Sequence, residues 1–357
     1  MHNTINMNSY KVIGVMSGTS MDGLDVAYCE FECVNDKWHY TLGPAQTIPY
    51  TQTWLTRLNE LHKQPMFVLP KTDAFYGKYI GQCIHDFIKQ NQLQVDYIAS
   101  HGHTIFHNPA ENYTTQIGSG AAIYAETSIP TICDFRTVDV ALGGQGAPLV
   151  PIGDELLFSE YDACLNLGGF ANISFKQNGK RLAFDICPCN ILLNAVAQQI
   201  GFAYDENGQL AATGKINTAL LDTLNGILYY QQLGAKSLSR EWVEKEIWPL
   251  VTSFTLTHED LLATFTEHIA LQLSTTFNRV AGTNMLITGG GAFNSFLVNR
   301  LRSLTKQELI LPPSNLIEFK EALIFAFMGV LKLQHKTTAL AEVTNAKFSS
   351  IGGCIYG

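Results

Sequence analysis

Apolar and polar residues alternate in short blocks near the start of the chain, and again about 150 residues later. Lys11–Val15 reads as a strand, Met16–Gly23 (MSGTSMDG) as a small polar turn, and Leu24–Glu32 (LDVAYCEFE) as a second strand. The arrangement recurs with Ala163–Leu167 as a strand, Gly168-Gly169 as the turn and Ala171–Lys176 as the returning strand. Asn178-Gly179, a dipeptide suited to tight hairpins, then leads into a third strand over Arg181–Ile186. Two glycine-bearing β-turns, each opening one half of the chain, suggest duplication of one sheet-forming unit. Two hairpins alike by chance would give the same pattern.

The element after each turn limits what the turn can be. A Walker A loop and a dinucleotide fingerprint both run strand–loop–helix, with phosphates on the helix N-terminus. Here the first turn runs into LDVAYCEFE, a strand, and lacks a G-K-[ST] ending, so both designs are excluded. What remains is a hairpin turn offering backbone N–H groups and the hydroxyls of Ser17, Thr19 and Ser20 to an anion, or an ordinary glycine-rich turn. A third cluster adds to this. Met285–Thr288 reads as a buried strand, followed by Gly289-Gly290-Gly291 and by a helical pattern from Ser295 with Phe296, Leu297, Leu301 and Leu304 near one face. Strand, glycines and helix let a backbone approach a nucleotide closely. Two glycine hairpins and this third cluster together suggest a two-domain ATP-binding enzyme.

Composition narrows the class. The chain has 357 residues, 46% of them hydrophobic and 15% charged. That length suggests two domains, and the low charge fraction excludes wholesale disorder. The net charge is −8, without a basic cluster to neutralise phosphates, so nucleic-acid binding is not expected. The N-terminal segment has no apolar signal-peptide core, and no apolar run reaches membrane-span length. We therefore expect no membrane association and a cytoplasmic setting. The eight cysteines are expected to be reduced, and Cys187/Cys189 form a C-x-C rather than the C-x2-C of common zinc sites.

At the level of motifs the chain resembles the anhydro-N-acetylmuramic acid kinases, sugar kinases of bacterial cell-wall recycling. The matching stretches include GVMSGTSMDGLD (14–25), SHGHTIFHNP (100–109), QIG (116–118), DFRTVDVALGGQGAPLVP (134–151) and NLGGFANIS (166–174). They continue with FDICPCN (184–190), ATGKIN (212–217), KSLSRE (236–241), ITGGGAFN (287–294) and VTNA (343–346). The resemblance implies an α/β, two-domain actin/hexokinase/Hsp70-type (ribonuclease H-like) ATPase fold with an interdomain cleft, and a homodimer. We place the domains at about 1–140 and 141–357, with the tail after about 335 able to return to the first. It also implies that ATP and water convert 1,6-anhydro-N-acetylmuramic acid into N-acetylmuramic acid 6-phosphate.

That reaction has no free 6-hydroxyl to phosphorylate. Water must attack the anomeric carbon while the departing O6 takes the γ-phosphoryl group, so a base is needed. Asp185 matches the family's catalytic aspartate in F-D-x-G-P-G-N, ending the third strand just before a helix expected to begin near Asn190. The nucleotide is assigned to Gly18, Thr19, Ser20, Met21, Asp22, Gly23, Leu24 and Asp25, with Gly168, Gly169, Gly289, Gly290 and Gly291 on its other side. Asp22 and Asp25 are the candidate Mg²⁺ ligands. On the sugar side stand His101, Arg136 and Glu321, with Arg136 suited to a lactyl carboxylate or alternatively to a salt bridge with Asp134 or Asp139. His101, His103 and His107 also have a spacing that imitates a metal site. Three positions depart from the family: His103 replaces a usual Gln, Cys187 and Cys189 replace glycines, and Asn194 replaces an aspartate. Two other readings stay open: a conventional amino-sugar kinase acting on a free hydroxyl, and a non-catalytic nucleotide- and sugar-binding sensor.

Overall fold

The strands of the computed structural model, which describes residues 9–18, 21–232, 236–280 and 282–357, form two sheets. The first is built from β1 (Ser9–Ser17), β2 (Leu24–Val34), β3 (Lys37–Ile48), β4 (Tyr97–Asn108), β5 (Tyr113–Ile117), β6 (Thr131–Cys133) and, from the far end of the chain, β12 (Cys354–Tyr356). The second contains β7 (Ala163–Leu167), β8 (Phe170–Gln177), β9 (Lys180–Pro188), β10 (Asn284–Thr288) and β11 (Glu308–Ile310).

The first sheet has the order β12-β6-β4-β1-β2-β3, with β5 paired to β4; the second has the order β11-β10-β7-β8-β9. In each, an antiparallel three-strand meander is continued, on the free edge of its first strand, by two strands parallel to it. Parallel neighbours require long crossovers, and in the first sheet the 24-residue helix Val68–Asn91 lies in that connection. The shared order and strand senses go beyond two similar hairpins. The sheet-forming unit is doubled, as the actin–hexokinase class implies.

Contacts divide the chain into two units. One runs to Ser159 and resumes at Phe319–Gly357; the other is Glu160–Glu318. The sequence placed the first boundary near 140 and the return near 335. Local packing accounts for the different bounds: Lys320 Nζ lies 2.7 Å from Asp154 Oδ1, and Ile324 packs so closely on Gly153 that a Cβ there would collide with it. Residues 151–159 are thereby tied to the helix Ser314–Leu333, which departs from helical geometry at Phe319 (φ −109°, ψ 15°).

Each unit has its own core. In the first, Ile13, Val15, Leu24, Val26 and Ile98 pack with Tyr76, Ile80 and Ile84, the last three at helical i, i+4 spacing. In the second, Leu165, Leu167, Ile173 and Ile186 pack with Leu193, Val196, Phe265, Ile269 and Leu273. Cys187 and Cys189 belong to this second core and are fully buried. None of the eight cysteines is joined in a disulfide.

One irregularity affects the site. Val15 pairs with Ser100, but Ser17 pairs with His103, so β4 carries an extra residue. Gly102 absorbs it with φ +73°, and a Cβ there would collide with the Ile117 carbonyl. Residues two apart on a regular strand share a face. The bulge breaks that rule: His101 meets Phe325, whereas His103 meets Tyr76.

Candidate active site

Asp185 lies within β9 rather than at its end, three residues before Pro188. A second bulge sits beside it, where β8 and β9 pair Ala171 with Cys187 but Asn172 with Asp185. The segment after residue 235 runs alongside. The Asp185 amide donates to the Lys236 carbonyl (3.0 Å), and the Leu238 amide donates to Asp185 Oδ2 (2.8 Å). Tyr229 donates its hydroxyl to the Asp185 carbonyl (2.7 Å). Among the described residues, Oδ1 accepts no hydrogen bond. Burial pushes the Asp185 carboxyl above its ordinary pKa, and the Leu238 amide partly opposes this. A carboxylate held by one oxygen, with its proton affinity raised, suits a general base.

The glycine turns of the second unit come together. The carbonyls of Gly168 and Gly169 accept the amides of Asn190 and of Cys189 and Ile191, so the turn satisfies the first N–H groups of the helix Asn190–Gln199. Asn190 Nδ2 donates to the Leu167 carbonyl (3.0 Å). Gly289 has φ +82°; a Cβ there would collide with Asn166 Oδ1 and lie 2.9 Å from the Leu167 carbonyl carbon. Gly290–Phe293 then form one 3₁₀ turn, and Asn294 caps the helix Ser295–Leu304 by accepting the Leu297 amide (3.0 Å). Gly169 and Gly290 differ from Gly289. A Cβ on Gly169 would meet nothing within 4 Å, and one on Gly290 only Asn190 Nδ2 at 3.8 Å. Among the described residues, no packing contact explains glycine at these two positions.

In the first unit, the turn between β1 and β2 keeps Gly18, Met21, Asp22 and Gly23 within the description, while Thr19 and Ser20 lie outside the described residues. The Met21 amide donates to the Gly18 carbonyl (3.3 Å). Leu24 is a buried core residue, so its side chain is not offered to a ligand, and the half-buried Met21 packs on that core. Asp22 is exposed, and Asp25 Oδ1 accepts the Thr47 hydroxyl (2.6 Å). Ser17 corrects the sequence reading. Its hydroxyl is not presented to an anion but is buried against Tyr50 OH (2.6 Å), His103 Nδ1 (2.8 Å) and Tyr76 OH (2.9 Å).

His101, Arg136 and Glu321 are brought together. Arg136 Nε donates to His101 Nε2 (2.8 Å), and its Nη1 donates to the Gly146 carbonyl. His101 Nδ1 faces the Gly102 carbonyl (2.8 Å). Because Nε2 accepts from Arg136, Nδ1 carries the proton and donates it to Gly102. Burial and the Arg136 charge hold His101 well below the ordinary histidine pKa, so the ring is neutral. Burial raises Glu321, with Arg136 acting against it. The Asp139 carboxylate accepts the Gly146 amide (2.8 Å) and the Thr344 hydroxyl (2.7 Å), fixing the loop that supplies the Gly146 carbonyl. Asp139 thus serves the loop and does not pair with Arg136.

Three contributors were not legible as site residues: the Lys236–Leu238 backbone, Asn190 and His103. All three lie in the quoted KSLSRE, FDICPCN and SHGHTIFHNP motifs, whose presence was the available signal. No group of three or more His, Cys, Asp or Glu among the described residues is arranged to hold a metal ion, and the bulge at Gly102 parts His101 from His103.

Comparison with known proteins places the chain among its relatives. The family model described as anhydro-N-acetylmuramic acid kinase matches residues 10–357. The anhydro-N-acetylmuramic acid kinase of Pseudomonas fluorescens (strain Pf0-1) is 35% identical, covering 96% of this chain and 98% of its own. That of Pasteurella multocida (strain Pm70) is 33% identical, covering 96% of each chain. Among solved structures, the chain is similar to the activator of the 2-hydroxyisocaproyl-CoA dehydratase from Clostridium difficile with bound ADPNP, at 15% identity and a TM-score of 0.44, covering 91% of this chain and 96% of that one. By the full-length match of its sequence, this chain belongs to the anhydro-N-acetylmuramic acid kinase family.

Proposed function

We propose that this chain is an ATP-dependent kinase that opens the 1,6-anhydro bridge of 1,6-anhydro-N-acetylmuramic acid and phosphorylates O6, giving N-acetylmuramic acid 6-phosphate for peptidoglycan recycling. The observation that carries the reading is Asp185, with one oxygen held by the Leu238 amide and its proton affinity raised by burial. Water attacks C1 and gives its proton to the Asp185 carboxylate. The C1–O6 bond breaks with its electron pair moving to O6. As O6 bonds to the γ-phosphorus, the bond from that phosphorus to the bridging oxygen of ADP breaks.

Phosphoryl transfer asks the protein mainly for positioning. Gly18–Asp25 and the glycines at 168–169 and 289–291 supply backbone that a nucleotide can approach. Arg136 is oriented by His101 and Gly146 to meet the lactyl carboxylate, with Glu321 beside it. Asp22 in the first turn and Asp25 at the start of β2 suit Mg²⁺, a hard ion that takes few protein oxygens and keeps waters. When bound, the ion compensates phosphate charge. A homodimer and a cytoplasmic setting belong to the same reading, and light scattering on the purified protein tests the dimer. No helix among the described residues is long and apolar enough to cross a membrane.

An ATP-consumption assay tests the activity. Turnover with the anhydro sugar and little with N-acetylmuramic acid or N-acetylglucosamine is expected. The reverse preference would favour the conventional kinase. Binding of both ligands without turnover would favour the sensor.

A further inference from the structure

Ser17 closes β1, immediately before the loop assigned to ATP phosphates. Its hydroxyl is the hub of a buried circuit of three hydroxyls and one imidazole. Ser17 is 1% exposed, His103 2%, Tyr50 7% and Tyr76 0%. The three hydroxyls touch pairwise: Ser17 to Tyr50 (2.6 Å), Tyr50 to Tyr76 (2.6 Å), and Tyr76 donating to Ser17 (2.9 Å). Three contacts among three hydroxyls consume all three hydroxyl hydrogens, one per contact, in a closed cycle. Because Tyr76 donates to Ser17, Ser17 donates to Tyr50 and Tyr50 to Tyr76.

The fourth contact, Ser17 Oγ to His103 Nδ1 at 2.8 Å, then has no hydroxyl hydrogen left. Its hydrogen must come from the imidazole. His103 therefore carries its proton on Nδ1, and Ser17 accepts it with its remaining lone pair. The bulge at Gly102 makes this contact possible, because on a regular strand His103 would face the same side as His101.

We infer that His103 is a positioning residue for the phosphate loop: its Nδ1–H, given to Ser17, completes the circuit that fixes the end of β1 from which the loop departs. The loop's role rests on the kinase reading above. The circuit and its proton count do not. Burial keeps the His103 ring neutral, lowering its pKa to about 4 against a hydrogen bond with the Ser17 backbone; with the one proton on Nδ1, Nε2 bears a lone pair.

The test has two arms. Protein carrying ¹⁵N-histidine, examined by NMR at neutral pH, should show His103 with Nδ1 protonated and Nε2 bare; the opposite tautomer overturns the proposal. The second arm measures ATP and sugar affinities by calorimetry for His103→Asn and His103→Asp. The asparagine amide can give Ser17 a hydrogen from nearly the position of Nδ1, whereas an ionised aspartate of the same shape cannot. His103→Asn should retain ATP affinity within about threefold, and His103→Asp should weaken it at least about tenfold. The aspartate variant should recover as pH falls and its carboxyl gains a proton, and sugar affinity should stay level in both. Equal behaviour of the two variants, or loss of sugar affinity with ATP affinity intact, overturns the proposal. Should His103→Asp fail to fold, Ser17→Ala takes its place; ATP affinity within twofold of wild type would then contradict the role. Absence of phosphoryl transfer by the unaltered protein would count against the kinase reading alone, since neither arm measures turnover.

Discussion

Arg136 Nε donates to His101 Nε2 at 2.8 Å, and the histidine's other nitrogen is occupied by the Gly102 carbonyl. Both ring nitrogens are thus committed within the protein. His101 orients the Arg136 guanidinium, and on the proposed reading it acts on a bound sugar only through Arg136. Removing the acceptor with His101→Phe should raise the sugar KM about tenfold, the scale of one hydrogen bond to a charged group. Arg136→Lys, which keeps the charge and loses the planar fork, should cost as much or more. The ATP KM should not move in either variant. Steady-state kinetics with each substrate varied in turn checks this, and a shift in the ATP KM would contradict the assignment.

Asp185→Asn should lower kcat by about 10²–10⁴-fold while ATP still binds. The pH dependence has a definite sign. A base must be deprotonated, so wild-type kcat should fall as pH drops through the raised carboxyl pKa. The same shift makes the folded state bind a proton more tightly than the unfolded one. Asp185 therefore costs stability as pH rises from the ordinary carboxylate range through its raised value. Asp185→Asn should be the more thermally stable protein at neutral pH, and that advantage should disappear in acid. Melting curves across pH read it directly.

The glycines should divide into two classes. Gly289→Ala combines a left-handed φ with a collision against Asn166, so it should lower the melting temperature as well as ATP affinity. Gly169 and Gly290 have room for a Cβ in the protein itself, so Gly169→Val and Gly290→Val should fold. If a nucleotide approaches these backbones, both should nevertheless lose ATP affinity. Calorimetric titration beside a melting curve separates the classes. Unchanged ATP binding in folded Gly290→Val would leave that turn a purely structural feature.

Cys187 and Cys189 should behave as core residues. Burial pushes the Cys189 thiol up to about 12 and the Cys187 thiol well above its ordinary value, so neither provides a thiolate for metal or exchange chemistry. Changing both to glycine removes packed side chains and should cost about 1–3 kcal/mol of stability by cavity formation. Thermal unfolding checks this, and elemental analysis of the wild type should find no stoichiometric zinc.

The sheets were legible because a two-residue period announces strands even where their ends are misplaced. Asp185 and the glycine clusters could be singled out as candidates because their motifs occupy a few contiguous residues. The boundary near Ser159 was not, since it depends on Lys320 and Ile324 meeting a segment more than 160 residues earlier. Nor was the separation of His101 from His103. Their spacing implies one face, and only the left-handed Gly102 moves them apart. Ser17 was misread for the same reason: its partners Tyr50 and Tyr76 come from later elements, and no local pattern shows a hydroxyl turned inward.

On the proposed reading, opening of the bridge and phosphorylation are one reaction at O6. This is tested most directly with 1,6-anhydro-N-acetylmuramic acid carrying ¹⁸O in the bridge, incubated with ATP and followed by ³¹P NMR. Cleavage between C1 and the bridge oxygen leaves the label on C6, so the phosphate ester should show the ¹⁸O isotope shift in full. A phosphate ester without that shift, or an anhydro sugar recovered unchanged from a protein that phosphorylates N-acetylmuramic acid, would contradict it.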